Sequence, residues 1–177
     1  MKINIKGIKI FKSKIFYDNR GSFKEGYKEK LLPNKKLIFD CVSNSKKNVL
    51  RGLHLQTKNP QAKFLTVVKG KIFDVLVDLR KNSNTFGKHF SIILSNQSLY
   101  SSIYIPEGFA NGFFCLDKEN IIYYRCSNYR QKDCEIGILW NDKDLRIKWP
   151  IKKPILSDRD SKNISFKEYC KNFISQR

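Results

Sequence analysis

A chain of 177 residues that is 41% hydrophobic and 13% aromatic is long enough for a single domain over residues 1–177 with a real core, and too apolar to stay disordered. Its 35 lysines and arginines outnumber 16 aspartates and glutamates, for a net charge of +19. These cations are scattered as short KK and KxK pieces, which describes a solvated surface better than a nucleic-acid-binding face.

From the N-terminus, Ile3-Asn4-Ile5-Lys6 and Ile8-Lys9-Ile10 alternate apolar and polar side chains at the period of a strand. MKINIKGIKIFK is therefore not the apolar run of a secretion signal, and no window approaches a membrane span, so no membrane partner is expected. Asp18-Asn19-Arg20-Gly21 marks a turn, and a strand through LRGLHLQ (Leu50–Gln56) would aim Arg51, His54 or Gln56 at a shared cavity. Further runs alternate at Lys63–Val68, Lys71–Val77, Phe90–Leu94, Ser102–Ile105, Gly112–Leu116 and Ile121–Tyr124. Turn signals separate them at Lys69-Gly70, Lys81–Asn84, Ser95-Asn96, Pro106–Gly108 and Asp117–Asn120. Short strands at this spacing predict an all-β sandwich or barrel. In the tail, Phe166, Tyr169, Cys170, Phe173 and Ile174 share one helical face behind Ser165 as N-cap, which predicts a helix over about residues 165–175.

Five cysteines, at 41, 115, 126, 134 and 170, show neither CxxC nor Cys/His ligand spacing. They fit reduced small hydrophobes in a cytoplasmic protein. In the run from Ile72 to Leu79, positions 73, 75, 77 and 79 are wholly apolar, whereas positions 74 and 78 are aspartates on the other face. Asp78 beside Arg80 reads as a surface pair at a strand end, and Asp74 as a hydrogen-bonded structural group. The chain has two histidines. An isolated His54 would read as a satisfied core residue, but Arg51, Gly52 and Lys63 around it turn it into a candidate for chemistry. His89, among charges at a strand start, reads as exposed, and two histidines cannot furnish a multi-histidine metal centre.

The run RGLHLQ, with DNRGSFKE before it and KFLTVVKGKIFDVLVDLRKNSNTFGKH, IPEGFANGF, GILWNDKDLRIKWP and ILSDRD after it, resembles the dTDP-4-dehydrorhamnose 3,5-epimerases of deoxysugar biosynthesis. The matches keep family-like order and spacing from about Phe11 to Asp160. The resemblance implies a cupin-type jelly-roll barrel with a short C-terminal helix, a homodimer, and catalysis without a metal or other cofactor. It implies a nucleotide-sugar substrate, dTDP- or GDP-linked, in surface polysaccharide synthesis. Such an enzyme must remove a proton beside a ketone, hold the enolate and return a proton to the opposite face. Carried over by position, His54 matches the family's base, Asp160 its carboxylate partner, Tyr124 the acid across the ring, and Lys63 the cation near the sugar. Arg20, Glu25, Arg51 and Glu135 fall at ligand-binding positions, with Phe23 and Gln56 as pocket neighbours.

Four departures bear on the substrate. Asn111 stands where the family's FAHGF run has histidine, and an amide cannot exchange a proton at neutral pH. Arg130 stands where a tyrosine stacks on the base, and Arg159 replaces a lysine, while Cys41-Val42-Ser43 replaces a more amide-rich stretch near the nucleotide. These changes leave open inversion at C3 or C5 alone and a GDP-linked hexose or heptose. A 3,4-ketoisomerase would show a second histidine directly after His54, where Leu55-Gln56 stand. A sugar-nucleotide-binding or nucleic-acid-binding module would need no such set of residues.

Overall fold

The computed structural model describes residues 5–174. Its strands are β1 (Lys9–Lys12), β2 (Ile15–Asp18), β3 (Gly21–Lys24), β4 (Phe39–Lys46), β5 (Leu50–Gln56), β6 (Lys63–Lys69), β7 (Lys71–Asp78), β8 (His89–Ser95), β9 (Tyr100–Ile105), β10 (Phe109–Cys115), β11 (Glu119–Cys126) and β12 (Glu135–Gly137). Two helical turns follow, α1 (Asp158–Ser161) and α2 (Phe166–Tyr169). One antiparallel sheet runs β1-β9-β6-β11-β4, a second runs β12-β5-β10-β7-β8, and β2-β3 forms a separate hairpin.

Alternation along each strand decides what fills the space between the sheets. Ile72 and Leu76 of β7 meet Leu65 and Val67 of β6, Ile103 and Ile105 of β9, and Ile122 of β11 in one buried cluster. Phe73, Val75 and Val77 point the other way and pack under the chain beyond β12, against Ile138, Leu145, Trp149 and Tyr169. Each buried aliphatic or aromatic side chain contributes about 1.5–3 kcal/mol relative to exposure. The second sheet is thus buried on both faces, which holds β5, β7 and β10 rigidly beneath the site.

Gly70 closes the β6–β7 hairpin at φ +88, and a Cβ there would collide with the Glu119 carbonyl oxygen, so only glycine fits this turn.

Three expectations need correction or limits. Ile3 and Asn4 lie outside the described residues, and the chain turns rather than extends at Lys6 and Gly7 before β1 begins. The tail keeps its cap, with the Ser165 hydroxyl accepting from the Glu168 amide and the Glu168 carboxylate accepting from that of Ser165. Its helix, however, is α-helical only to Tyr169 and continues as a wider π-type turn over Cys170–Ile174; Ser175, the last residue of the expected helix, lies outside the described residues. His89 is half-buried rather than exposed. It pairs with Val77, on the face of β7 turned away from the barrel interior, and burial lowers its pKa.

Candidate active site

A cavity of about 370 Å³ opens between the sheets, within the size range of small-ligand sites. The second sheet brings His54 and Asn111, directly opposite each other in the β5–β10 register. The first sheet brings Tyr124, paired with Leu65 on β6 and Cys41 on β4, and Lys63, paired with Cys126. All four candidates line the cavity.

His54 Nε2 lies 2.5 Å from Asp160 Oδ1, although 106 residues separate them. Backbone bonds dock Ile155 onto Asn48 and Leu50, and the Ser157 hydroxyl then accepts from the Asp160 amide to start α1. The Gly52 N–H donates to Asp160 Oδ2 at 3.4 Å. Burial alone would raise the Asp160 carboxyl; the His54 hydrogen bond and charge, the Gly52 amide and Ser157 outweigh it and hold it below its ordinary value. With this carboxylate on Nε2, the imidazole donates there and keeps Nδ1 as its free base nitrogen. Gly52, at φ +115, is required by close packing: a Cβ would sit 2.5 Å from the Gly112 Cα.

Across the cavity, the Tyr124 hydroxyl lies 3.1 Å from Ser43 Oγ, and its ring packs 6.4 Å from that of Phe113. Burial, reinforced by the charges of Asp74 and Cys41, pushes the phenol far above its ordinary range, with Ser43 and Arg51 opposing. It therefore remains protonated at neutral pH, as a proton donor must. Sequence reasoning missed Ser43 as its partner, since β4, with FDCVSNSK, carries no clean apolar alternation.

Asp74 lies on the inward face of β7 and is fully buried. The Asn111 amide nitrogen donates to Asp74 Oδ1 at 2.8 Å and to the Val75 carbonyl at 3.2 Å, so both amide hydrogens are committed. Its Oδ1 is left as the polar atom available to the cavity, an acceptor only. Asp74 Oδ2 has no partner, and burial raises its carboxyl to about 7 despite Asn111, Lys63 and the Val75 amide. The structural reading of Asp74 holds. Asp78 is a strand-end pair as predicted, but fully buried rather than on the surface, accepting from Arg80, Ser83 and Thr85.

The remaining predicted ligands divide into two groups. Arg51, Gln56, Arg130 and Glu135 line the cavity. Of these, Gln56 is committed to loop backbone, donating to Asn59 and accepting from Gln131. Glu135 takes Arg130 at 2.7 Å and also Arg159; burial would raise its carboxyl, but Arg130, His54 and Arg159 bring it down to about 2. It acts in this chain as the clamp that orders two arginines. Arg159 reaches the site only through that clamp. Arg20, Phe23 and Glu25 do not line the cavity: Arg20 pairs with Asp18 and Glu25 with Lys28, and Phe23 lies exposed on the β2–β3 hairpin. Among the described residues, no group of three or more His, Cys, Asp or Glu side chains is placed to hold a metal ion, and no helix is long and apolar enough to cross a membrane.

Two antiparallel sheets around a polar cavity make a cupin-type barrel, and an imidazole on a buried carboxylate with a protonated phenol on the opposite wall is the equipment of a proton-transferring isomerase. Residues 2–168 match the family model of dTDP-4-dehydrorhamnose 3,5-epimerase, and the chain belongs to that family. It is an isomerase that epimerises a nucleotide-activated 4-keto sugar in deoxysugar biosynthesis. The dTDP-4-dehydrorhamnose 3,5-epimerase of Shigella flexneri is 43% identical over 166 residues, covering 90% of this chain and 91% of that one. The crystal structure of the Legionella pneumophila enzyme, in complex with dTDP-4-keto-L-rhamnose, superimposes with a TM-score of 0.87 at 36% identity, covering 93% of this chain and 90% of its own. A 3'-monoepimerase from Streptomyces bikiniensis, in complex with dTDP-quinovose, superimposes with a TM-score of 0.88 at 27% identity, covering 96% and 88%.

Proposed function

We propose that this chain inverts both C3 and C5 of a dTDP-linked 4-keto-6-deoxyhexose, with His54 as base and Tyr124 as acid. The observation that carries the reading is the placement of His54, on Asp160, and of Tyr124 on opposite sheets lining one cavity. In the ketone's enolate, negative charge gathers on the C4 oxygen, and the Lys63 ammonium on the same wall is the group to neutralise it. His54 Nδ1 takes the proton from one face of the ring; Tyr124 returns one to the other, which inverts the centre. Each such proton-transfer group typically contributes about 10²- to 10⁴-fold. Arg51 suits a diphosphate through charge-assisted hydrogen bonds, Arg130 stands where the base would stack, and the dTDP ligands of the relatives favour thymidine over guanosine as the base.

The working unit we propose is a homodimer. The β2–β3 hairpin stands apart from both sheets and exposes Phe16, Tyr17 and Phe23, while the ligand positions on it and just after it, Arg20, Phe23 and Glu25, are absent from the cavity of their own chain. A second copy's hairpin can supply them, and apolar side chains exposed in this way call for a partner.

A second reading, inversion at C3 alone, is favoured by Asn111, whose amide can act as neither acid nor base at neutral pH where the family has an imidazole. Incubation with dTDP-4-keto-6-deoxyglucose in D₂O, followed by NMR, separates the two. Deuterium at both C3 and C5 with inversion at both supports the first reading; deuterium at C3 only replaces it with the second. Exchange with the GDP-linked sugar and none with the dTDP-linked one would refute the nucleotide assignment.

A further inference from the structure

Two thiols on the inner face of the first sheet have no part in the chemistry above. Cys41 stands opposite Tyr124 in the β4–β11 register, and Cys126 two residues further on, so the two are diagonal neighbours on one face. Both line the cavity, as do Lys63 and Arg130, and a hydrogen bond joins them. Cys41 is exposed and Cys126 buried. The proton is therefore retained on Cys126, which donates it, and the thiolate forms on Cys41, where two cations stand nearby. The Cys126 hydrogen bond, ahead of the Lys63 and Arg130 charges, brings the Cys41 thiol down to about 7 against burial and the Asp40 charge. Burial instead pushes the Cys115 thiol up to about 11 and that of Cys170 above its ordinary value. An accessible thiol with thiolate character and neighbouring cations is the setting in which cysteines react.

We propose that Cys41 is a thiol-modification site inside the substrate cavity, exchanging with low-molecular-weight disulfides of the glutathione class so that oxidation reversibly closes the enzyme. The Cys41 thiolate attacks one sulfur of the disulfide. A new S–S bond joins Cys41 to that half, the original S–S bond breaks, and its electron pair leaves on the other half as a thiolate that takes a proton from water. Cys41 is oxidised and the released thiol reduced, so electrons balance; excess thiol runs the exchange backwards. The adduct then stands beside Tyr124 and Lys63, in space the sugar nucleotide must fill. The effect on turnover rests on the epimerase reading, whereas the exchange itself does not.

The test treats the whole protein with glutathione disulfide across a pH series and follows intact mass, peptide mapping and epimerase turnover. The expected result is one adduct, on Cys41, with a labelling rate half-maximal where this thiol ionises, at about 7, and slowed by dTDP. Turnover should fall by about tenfold or more and return with dithiothreitol. Cys41→Ser should take no adduct, and its own turnover, at whatever level, should not respond to the disulfide. Cys126→Ala should still be labelled at Cys41 but with the midpoint moved up by about one pH unit, because the donor to the Cys41 sulfur is gone. Labelling of Cys134 or Cys170 with Cys41 untouched would overturn the proposal, as would an adduct on Cys41 that leaves turnover intact. If the untreated protein turns over no nucleotide sugar, the epimerase reading fails, while the mapped adduct still decides the site.

Discussion

Replacing Asp74 with asparagine should change how stability depends on pH, and by an amount the structure sets. The carboxyl is fully buried with one oxygen unpartnered, and burial raises it from 3.8 to about 7. A carboxyl raised on folding leaves stability whole below its unfolded pKa and removes it as pH climbs through the folded one. In the wild type that loss begins near 3.8 and is complete just above about 7, where it amounts to roughly 4 kcal/mol at 1.36 kcal/mol per unit. Asp74→Asn removes the titration and keeps the oxygen that accepts from Asn111. It also buries an amide N–H₂ with no acceptor, at a cost of about 1–3 kcal/mol. Between about pH 5 and about pH 8, the stability difference between variant and wild type should therefore shift by roughly 2–3 kcal/mol in the variant's favour. Urea unfolding at the two pH values, followed by tryptophan fluorescence, measures it. A difference independent of pH would refute the reasoning and place a charged, solvated Asp74 in the native protein.

Asp160→Asn keeps the shape of the carboxylate but offers His54 an N–H instead of an acceptor, forcing the imidazole proton onto Nδ1, where the base must act. Turnover should fall by about 10²- to 10⁴-fold with KM little changed, read by steady-state kinetics. Gly52→Ala brings its Cβ to 2.5 Å from the Gly112 Cα at φ +115; backbone cannot yield as a side chain tip can, and the variant should lose about 3 kcal/mol or more in chemical unfolding. Glu135, brought down to about 2 from 4.5, contributes stability that is present above the unfolded value and disappears as pH falls through the folded one. Glu135→Gln should accordingly unfold with a flatter acid limb than wild type in a pH titration followed by circular dichroism.

Much of the barrel is legible in the chain because β6 through β11 each carry a short apolar or alternating run, bounded by turns of glycine, asparagine and serine. Strand β4 is not, because its outward positions face solvent and its inward ones line a polar cavity, so neither face is written in aliphatics. The β2–β3 hairpin shows its turn at Asp18–Gly21 but hides its strands, since Phe16, Tyr17 and Phe23 are exposed and follow no buried stripe. The irregular chain of residues 138–157, between β12 and α1, buries Leu145, and partly Trp149, without any period at all. Of the site, the His54 neighbourhood could be noticed locally. Its partner Asp160, 106 residues on, came from family resemblance, since no local pattern reports a contact made by folding the tail back over β5. The Asn111–Asp74 bond follows from β10 and β7 being neighbours, a topological fact invisible to either segment alone.

The measurement that bears most directly on the central claim is solvent-deuterium incorporation beside the ketone of dTDP-4-keto-6-deoxyglucose, compared with net inversion, in His54→Asn and Tyr124→Phe. With His54 taking the proton and Tyr124 returning one across the ring, the first variant loses both exchange and inversion, and the second keeps exchange while losing inversion. Exchange that survives in His54→Asn at the wild-type rate, or inversion undiminished in Tyr124→Phe, would contradict the assignment.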